Sequence, residues 1–375
     1  MAYRSLVTGG CGFIGRHLVE ALCERGDEVR ILDIRPWGRE QGNKKKNDEL
    51  GDQAEVIIGS ITDAVAVRQA MQGMDRVFHL AANPNLWAPD PRQFHEVNYL
   101  GTCRVLEEAA RQSVKRVVYT STESILKSMH VPRKAARTII DETARLTLND
   151  MPGPYCKSKF RAEEEAHTAA ASGLPLVIVN PTMPLGPGDG LLTPPTKMVL
   201  GFVNGTTPAY LDCEFNLVDA RDAALGHLLA AERGRIGERY ILGSGNIGLP
   251  QLLAELAFLT GQSMPRLKVP YGIALVSAYI SETIANIRKR PPIAPVTGVR
   301  LARSSMAFNC SKARRELGWQ PRSLRETLYD ALSWLRDEKL LRRQITLPDR
   351  SDLAIDGRIP AYDAGEFPVR SWAAD

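Results

Sequence analysis

Apolar and polar positions repeat on two different periods along the first third of the chain. Tyr3–Thr8, Val29–Ile34, Glu55–Gly59, Arg76–Leu80 and Lys115–Thr120 are short runs rich in β-branched residues and apolar on both faces, which predicts strands. Ile14–Arg25, Ala64–Gln72 and Gln93–Gln112 lie between them and carry helical periodicity. In the first of these, Ile14, Leu18 and Leu22 form one apolar stripe, and Gly26 stands where a C-cap belongs. Alternation at this spacing implies parallel strands joined by right-handed crossovers, an α/β class with a doubly wound sheet.

The remaining pattern is less regular. A polar stretch between Asp33 and Ala54 contains Lys44, Lys45 and Lys46 and reads as a solvated loop, as does Arg288-Lys289-Arg290 before Pro291-Pro292. The uncharged stretch from Ala166 to Gly188 is broken by Pro175, Pro181, Pro184 and Pro187. A second uncharged run, Val269–Ser281, falls short of the about 20 residues a bilayer span needs, so no transmembrane helix is expected. The apolar run Tyr271–Ile280, continuing to Ile287 with Glu282 as its one charge, suits either a core helix or a lid or membrane-contacting helix. Beyond Arg343 the chain is polar and contains proline, without periodicity.

Composition narrows the function classes. Of 375 residues, 44% are hydrophobic and 24% charged, a globular balance that excludes wholesale disorder. The formal charge of +5 is too small over this length to argue for nucleic acid. Six cysteines, at 11, 23, 103, 156, 213 and 310, include no Cys-x-x-Cys pair and read as reduced hydrophobes. With no signal-peptide pattern at the start, a cytoplasmic protein is expected. The histidines show no metal-ligand spacing, and no Gly-x-Ser-x-Gly elbow suggests a hydrolase. His79 reads as a packed core residue.

Chemistry enters with the first turn. Thr8-Gly9-Gly10-Cys11-Gly12-Phe13-Ile14-Gly15 places glycines at 9, 12 and 15 between a strand and an amphipathic helix. Side chains at Gly9 or Gly12 would obstruct the turn or a pyrophosphate, and Gly15 lets helix and sheet approach. The helix N–H groups then face a diphosphate, so a dinucleotide is the expected cofactor. Asp33 ends the second strand, where a carboxylate accepts bonds from the adenosine ribose and repels a 2′-phosphate. That favours NAD; Arg35, two residues on, keeps NADP open. Asp63 reads either as an acceptor from the adenine amino group or as the cap of the helix beginning at Ala64.

Tyr155 and Lys159 are one helical turn apart in Pro154-Tyr155-Cys156-Lys157-Ser158-Lys159. A nearby ammonium and a cationic nicotinamide ring would stabilise a phenolate; lowering a tyrosine pKa to about 7 corresponds to roughly 4 kcal/mol. Upstream, the fifth strand ends in Tyr119-Thr120-Ser121-Thr122-Glu123, which puts a hydroxyl into the crevice where open α/β sheets bind ligands.

Together these residues resemble the short-chain dehydrogenase/reductase superfamily in its extended form, across roughly 1–340. The glycine loop, His79-Leu80-Ala81-Ala82, Val97-Asn98-Tyr99-Leu100-Gly101-Thr102, the Tyr155/Lys159 pair, Asn180-Pro181-Thr182, Gly186-Pro187-Gly188-Asp189 and Gly237–Gly243 carry the likeness. The resemblance implies a Rossmann domain over 1–180 and a smaller C-terminal α/β substrate lobe over 181–343, with some segments returning to the main sheet; 344–375 is left as an extension. It also implies a triad: Thr122 bonds the substrate oxygen, Tyr155 shuttles the proton, and Lys159 holds the nicotinamide ribose and lowers the tyrosine pKa. Gly9, Gly12, Phe13, Ile14, Gly15, Asp33, Ile61, Asp63, Leu80, Ala81, Ala82, Asn98, Tyr119, Tyr155, Lys159 and Pro181 would line the cofactor. Helices containing Gln93–Gln112 and Tyr155–Ala171 would form a homodimer interface.

Two branches of the superfamily share the likeness. Ile178–Thr182, His227–Arg235 and Gly237–Gly243 resemble hopanoid-associated sugar epimerases, a subgroup close to dihydroflavonol reductases. Gly10–Phe13, Leu32-Asp33-Ile34 and Tyr119–Thr122 are more similar to 3β-hydroxysteroid and sterol decarboxylating dehydrogenases. Nucleotide-sugar epimerases usually place an arginine where this chain has Cys213, Glu214 and Phe215, and Glu214 would repel a diphosphate. Glu123 matches the position of an acid in sugar 4,6-dehydratases, but Ser124-Ile125-Leu126-Lys127 does not continue their pattern, so it reads as a pocket-lining or surface residue. The expectation is NAD-dependent interconversion of a secondary alcohol and a ketone on a hydrophobic small molecule, with a sugar epimerase or dehydratase as the alternative. A non-catalytic dinucleotide sensor is the third class, and it would not need the Thr122/Tyr155/Lys159 set. Residues 271–287 offer possible membrane contact.

Overall fold

A computed structural model of the chain describes residues 2–37, 54–130, 139–265, 267–303 and 307–353. The Lys44–Lys46 loop and the chain beyond Leu353 lie outside the described residues.

The first half alternates as its periodicity dictates: β1 (Arg4–Thr8), α1 (Phe13–Glu24), β2 (Glu28–Asp33), β3 (Ala54–Ile58), α2 (Ala64–Met71), β4 (Arg76–His79), α3 (Thr102–Arg111), β5 (Arg116–Thr120), α4 (Pro154–Ala171) and β6 (Leu176–Pro181). The helix expected from Gln93 differs in one respect. Its first half, Phe94–Gly101, is π-helical, with the Thr102 hydroxyl donating to the Asn98 carbonyl at 2.8 Å. Hydrophobic period alone does not distinguish such a widened turn from an α-helix.

After β6 come β7 (Met183–Leu185), α5 (Pro194–Val203), β8 (Ala209–Tyr210), β9 (Glu214–Asp219), α6 (Ala220–Arg233), β10 (Arg239–Leu242), β11 (Gly245–Gly248), α7 (Leu249–Thr260), β12 (Leu267–Lys268), α8 (Tyr271–Arg288), α9 (Val296–Leu301) and α10 (Leu324–Asp337). The main sheet has seven strands in the order β3-β2-β1-β4-β5-β6-β10, and every pairing in it is parallel. Strand order reverses between β1 and β4, which opens the crevice where such sheets bind ligands. β7, β9 and β11 form a smaller sheet, with β9 between the other two.

Both faces of the main sheet are covered. Leu18, Leu22 and Val19 of α1 pack with Ala223 and Leu228 of α6 and with Trp319 on one side. Met71, Leu106 and Ala162 close the other. A third core, in the lobe, gathers Phe202, Leu217, Leu252, Leu256, Leu328 and Leu332. The start of the tail joins it: Ile345 and Leu347 pack on this core, Leu353 is buried, and Arg350 pairs with Asp330 at 3.1 Å.

Trp319 is fully buried and donates its indole N–H to the Asp222 carbonyl at 2.8 Å. Trp319→Ala leaves a large void and removes the indole bond to Asp222, so denaturant unfolding should show a loss of about 3–5 kcal/mol.

Candidate active site

The cofactor groove begins where β1 ends. Gly9 has φ +74°, and a Cβ there would lie 2.7 Å from the Ala81 nitrogen; a Cβ on Gly15 would run into the Gly9 carbonyl. Loop, helix and the β4 exit are therefore in backbone contact, as a dinucleotide cradle requires. No side chain caps α1 and no acidic residue occupies its first turn, so its N–H groups are open to an anion. Phe13 is buried edge-on to His17 at 6.0 Å, and Ile14 packs on the sheet.

Asp33 is buried at the end of β2 and already has work to do. Its Oδ2 accepts the Cys11 N–H at 3.0 Å, and its Oδ1 accepts the Arg35 N–H at 3.0 Å and Nε at 3.4 Å. It thus ties the glycine loop to β2 and holds Arg35 by an ion pair. Arg16, a second cation on this rim, stands over the Trp37 ring at 5.6 Å.

Other candidates fall around the groove in different ways. The Leu80 and Ala81 N–H groups bond the Thr8 carbonyl and hydroxyl, and Ala82 is half-buried just beyond. Ile61 is buried against Gly101, and Pro181 is buried at the end of β6. Asp63 caps α2, accepting from Val65 N at 2.8 Å and Ala66 N at 3.4 Å. Asn98 is fully buried between Asn83 and the Ser158 hydroxyl, so it fastens the β4 loop to α4 from behind. His79 is a core residue between the hydroxyls of Thr8 and Thr102, and burial drives its pKa down to about 3, leaving it neutral.

The structure brings Thr122, Tyr155 and Lys159 together at the C-terminal end of β5. α4 starts at Pro154 and sets Tyr155, Lys159 and Glu163 on successive turns of one face. The Thr122 hydroxyl bonds Ser124 Oγ at 2.7 Å and Glu123 Oε2 at 2.9 Å, and the hydroxyls of Thr122 and Ser124 reach the Tyr155 phenol. Ser121, its neighbour, points instead toward Glu163 and Tyr119. Lys159 Nζ donates to the Thr120 carbonyl at 2.7 Å and lies 4.5 Å from the Tyr119 ring centre.

One electrostatic expectation fails in the free chain. Burial, then the Glu123 carboxylate, push the Tyr155 phenol above its ordinary pKa rather than below it. The Lys159 ammonium is directed at Thr120, and burial draws its own pKa down to about 7 against the opposing pull of Glu163. Glu123 is also more than a surface residue: half-buried beside Thr122, its carboxyl is pushed up to about 7 by desolvation.

Glu163 was missed in the sequence, although its spacing of four from Lys159 was the available signal. Burial raises its carboxyl, but His167, Arg239, Ser121 and Asn180 outweigh this and keep it ionised. Arg239 Nη2 is 3.2 Å away and Asn180 Nδ2 donates at 2.8 Å. On the substrate side, Lys127 is buried near Cys213 and Glu214; burial draws its pKa down to about 7 against the pull of those two groups, so the carboxylate expected to repel a diphosphate has a titratable amine beside it.

A parallel sheet with a crowded glycine loop at its switch point and a Tyr–Lys–Thr cluster beside it defines a dinucleotide-dependent enzyme. The chain belongs to the NAD-dependent epimerase/dehydratase family, whose model matches residues 5–243. It is 36% identical to a putative dihydroflavonol 4-reductase of Synechocystis sp., over 92% of this chain and 98% of that one. It is 31% identical to sterol demethylase protein B of Methylococcus capsulatus, over 90% and 99%. The crystal structure of gox2253 superposes with a TM-score of 0.76 at 33% identity, over 90% of this chain and 99% of that one. Among the described residues no helix is long and apolar enough to cross a membrane.

Glu163→Gln removes the carboxylate that favours the Lys159 cation, so the Lys159 pKa falls. The alkaline limb of the kcat/KM profile, where that cation is lost, should move to lower pH by about one unit. An unmoved limb in the pH–rate profile would exclude this coupling.

Proposed function

We propose that the protein is an NAD-dependent oxidoreductase that interconverts a secondary alcohol and a ketone on a hydrophobic, sterol-, hopanoid- or flavonoid-like molecule. The observation that carries this reading is the meeting of Thr122, Tyr155 and Lys159 beside the glycine loop. In the oxidative direction the substrate hydroxyl lies against Thr122 and Tyr155, and its proton passes to the Tyr155 oxygen as the carbinol hydride leaves. Bound NAD supplies the hydride acceptor and, when reduced, the donor. The positive charge of the oxidised ring would add to Lys159 in opposing the burial and Glu123 effects that hold the Tyr155 proton. Lys159, anchored on Thr120, would present its remaining N–H donors to the nicotinamide ribose.

The substrate class is supported by the relatives named for a dihydroflavonol and a sterol, and by the absence of an arginine at 213–215. NAD is preferred because Asp33 ends β2, where a carboxylate would repel a 2′-phosphate, although its ion-pair partner Arg35 would attract one. The same reading places catalysis in 1–180, substrate selection in 181–343 and 344–375 as an extension. It makes the protein a cytoplasmic homodimer with peripheral membrane contact through 271–287. A second reading, a sugar epimerase or dehydratase, is favoured by Glu123, a carboxyl with a pKa raised to about 7 in contact with Thr122.

Tyr155→Phe should preserve dinucleotide affinity while lowering kcat by at least about 10²-fold; retained turnover would remove the tyrosine from the chemistry. Calorimetric titration should show tighter NAD+ than NADP+ binding, and the reverse order would defeat the Asp33 argument. Incubation with NAD+ and a panel of hydroxysteroids, hopanoid or flavonoid alcohols and nucleotide sugars tests the reaction. Net NADH with an apolar alcohol supports the dehydrogenase, whereas turnover of a sugar without net NADH supports the epimerase.

A further inference from the structure

Helix α8 is packed inside out. It buries Ala278 against Val296 and Val299, together with the half-buried Ala274 and Leu275, and Ala285 is buried two turns on. Its larger apolar side chains face outward: Ile273, Val276, Ile280, Ile284 and Ile287 are each 44–78% exposed. Spacings of three and four put all five on one stripe, and no charged residue interrupts it. Glu282 lies on the inner side, where its carboxylate accepts the Val296 N–H at 2.7 Å.

The stripe ends in charge of one sign. Arg288, Lys289 and Arg290 are exposed immediately after Ile287, and among the described residues none of the three forms an ion pair. Ile293, fully exposed, extends the apolar surface beyond them. Tyr279 flanks the stripe, its hydroxyl accepting from Arg300 at 2.6 Å. An apolar face bordered by an aromatic and several cations has the composition of a helix lying in a bilayer interface.

The helix is also tied to elements that lead toward the candidate active site. Trp87, on the loop after β4, donates its indole N–H to Asn286 at 2.9 Å. Thr297 of α9 packs on Gly153, directly before the helix that carries Tyr155.

We propose that α8 seats the enzyme on an anionic bilayer surface, its isoleucine stripe in the headgroup–acyl boundary and Arg288–Arg290 on the phosphates, so that substrate enters from the lipid past Trp87. This rests on the apolar-substrate reading only for the last clause. A second copy of the chain is a poorer occupant. From 273 to 287 the stripe is about 21 Å long and about 10 Å wide, roughly 200 Å², against the about 800 Å² per partner of a stable interface.

The test is flotation of the purified full chain with vesicles of phosphatidylcholine alone or with phosphatidylglycerol, without substrate. Wild type should float with the anionic vesicles and, far more weakly, with the neutral ones. The triple change Arg288→Gln, Lys289→Gln, Arg290→Gln should weaken anionic binding by on the order of 100-fold. Ile280→Glu with Ile287→Glu should abolish it, while dinucleotide affinity and melting temperature stay at wild-type values. Wild type left unfloated by anionic vesicles, or flotation unaltered in both variants, overturns the proposal. So does conversion of a dimer to monomers by the Ile→Glu pair without any vesicle binding, which assigns the stripe to a second copy. Because flotation is read without turnover, its failure is separate from failure to oxidise an apolar alcohol.

Discussion

A buried ammonium group sets the terms for the active site. Lys159 is nine-tenths and more removed from water, where a lone cation is unstable, and two elements converge to keep it. β5 offers the Thr120 carbonyl, and the Tyr119 ring lies beneath. One turn on, α4 offers the Glu163 carboxylate. That carboxylate needs its own support, and receives it from Asn180 on β6 and Arg239 on β10. The support for one buried side chain is thus distributed across three neighbouring parallel strands. The geometry of α4 against the sheet follows from that demand as much as from apolar packing.

The parts of the fold that depend on local pattern were legible in the sequence. The β1–α1 turn, the β-branched strands and the α1 stripe each follow from residues close together in the chain, and the glycine loop could be read as a cradle before any contact was known. The Tyr155/Lys159 pair was legible for the same reason, since four residues of helix fix its geometry. What escaped were effects created by packing. Burial and Glu123 reverse the direction of the Tyr155 shift, Glu163 gains its role only when β10 brings Arg239 alongside, and Lys127, its charged form disfavoured by burial, meets Glu214 across a large sequence separation. The outward face of α8 was ambiguous because an apolar run does not declare which side is wet.

Asp33 and Asp63 show that a binding reading and a structural reading need not compete. Asp33 fastens the glycine loop through Cys11 and holds Arg35 while keeping an acceptor position on Oδ2 open, and Asp63 spends one oxygen on two helix N–H groups. Thr122 is similar: its hydroxyl caps the short turn at Glu123 and also meets the phenol of Tyr155. In each case the scaffold fixes the group in place, which limits the reorganisation needed when a ligand arrives.

The return of β10 to the main sheet has a consequence for how the chain can be divided. All six residues of β6 are buried, and one edge of that strand is covered by residues 239–242, synthesised only after β7, α5, β8, β9 and α6. A chain stopped near residue 180 would hold the whole glycine loop and the Tyr–Lys–Thr cluster, yet present β6 as a bare, apolar, sticky edge. Glu163 would lack Arg239 at the same time. The two parts of the chain are therefore interlocked in assembly: the β6 edge is covered, and Glu163 gains its cation, only as the later segments emerge.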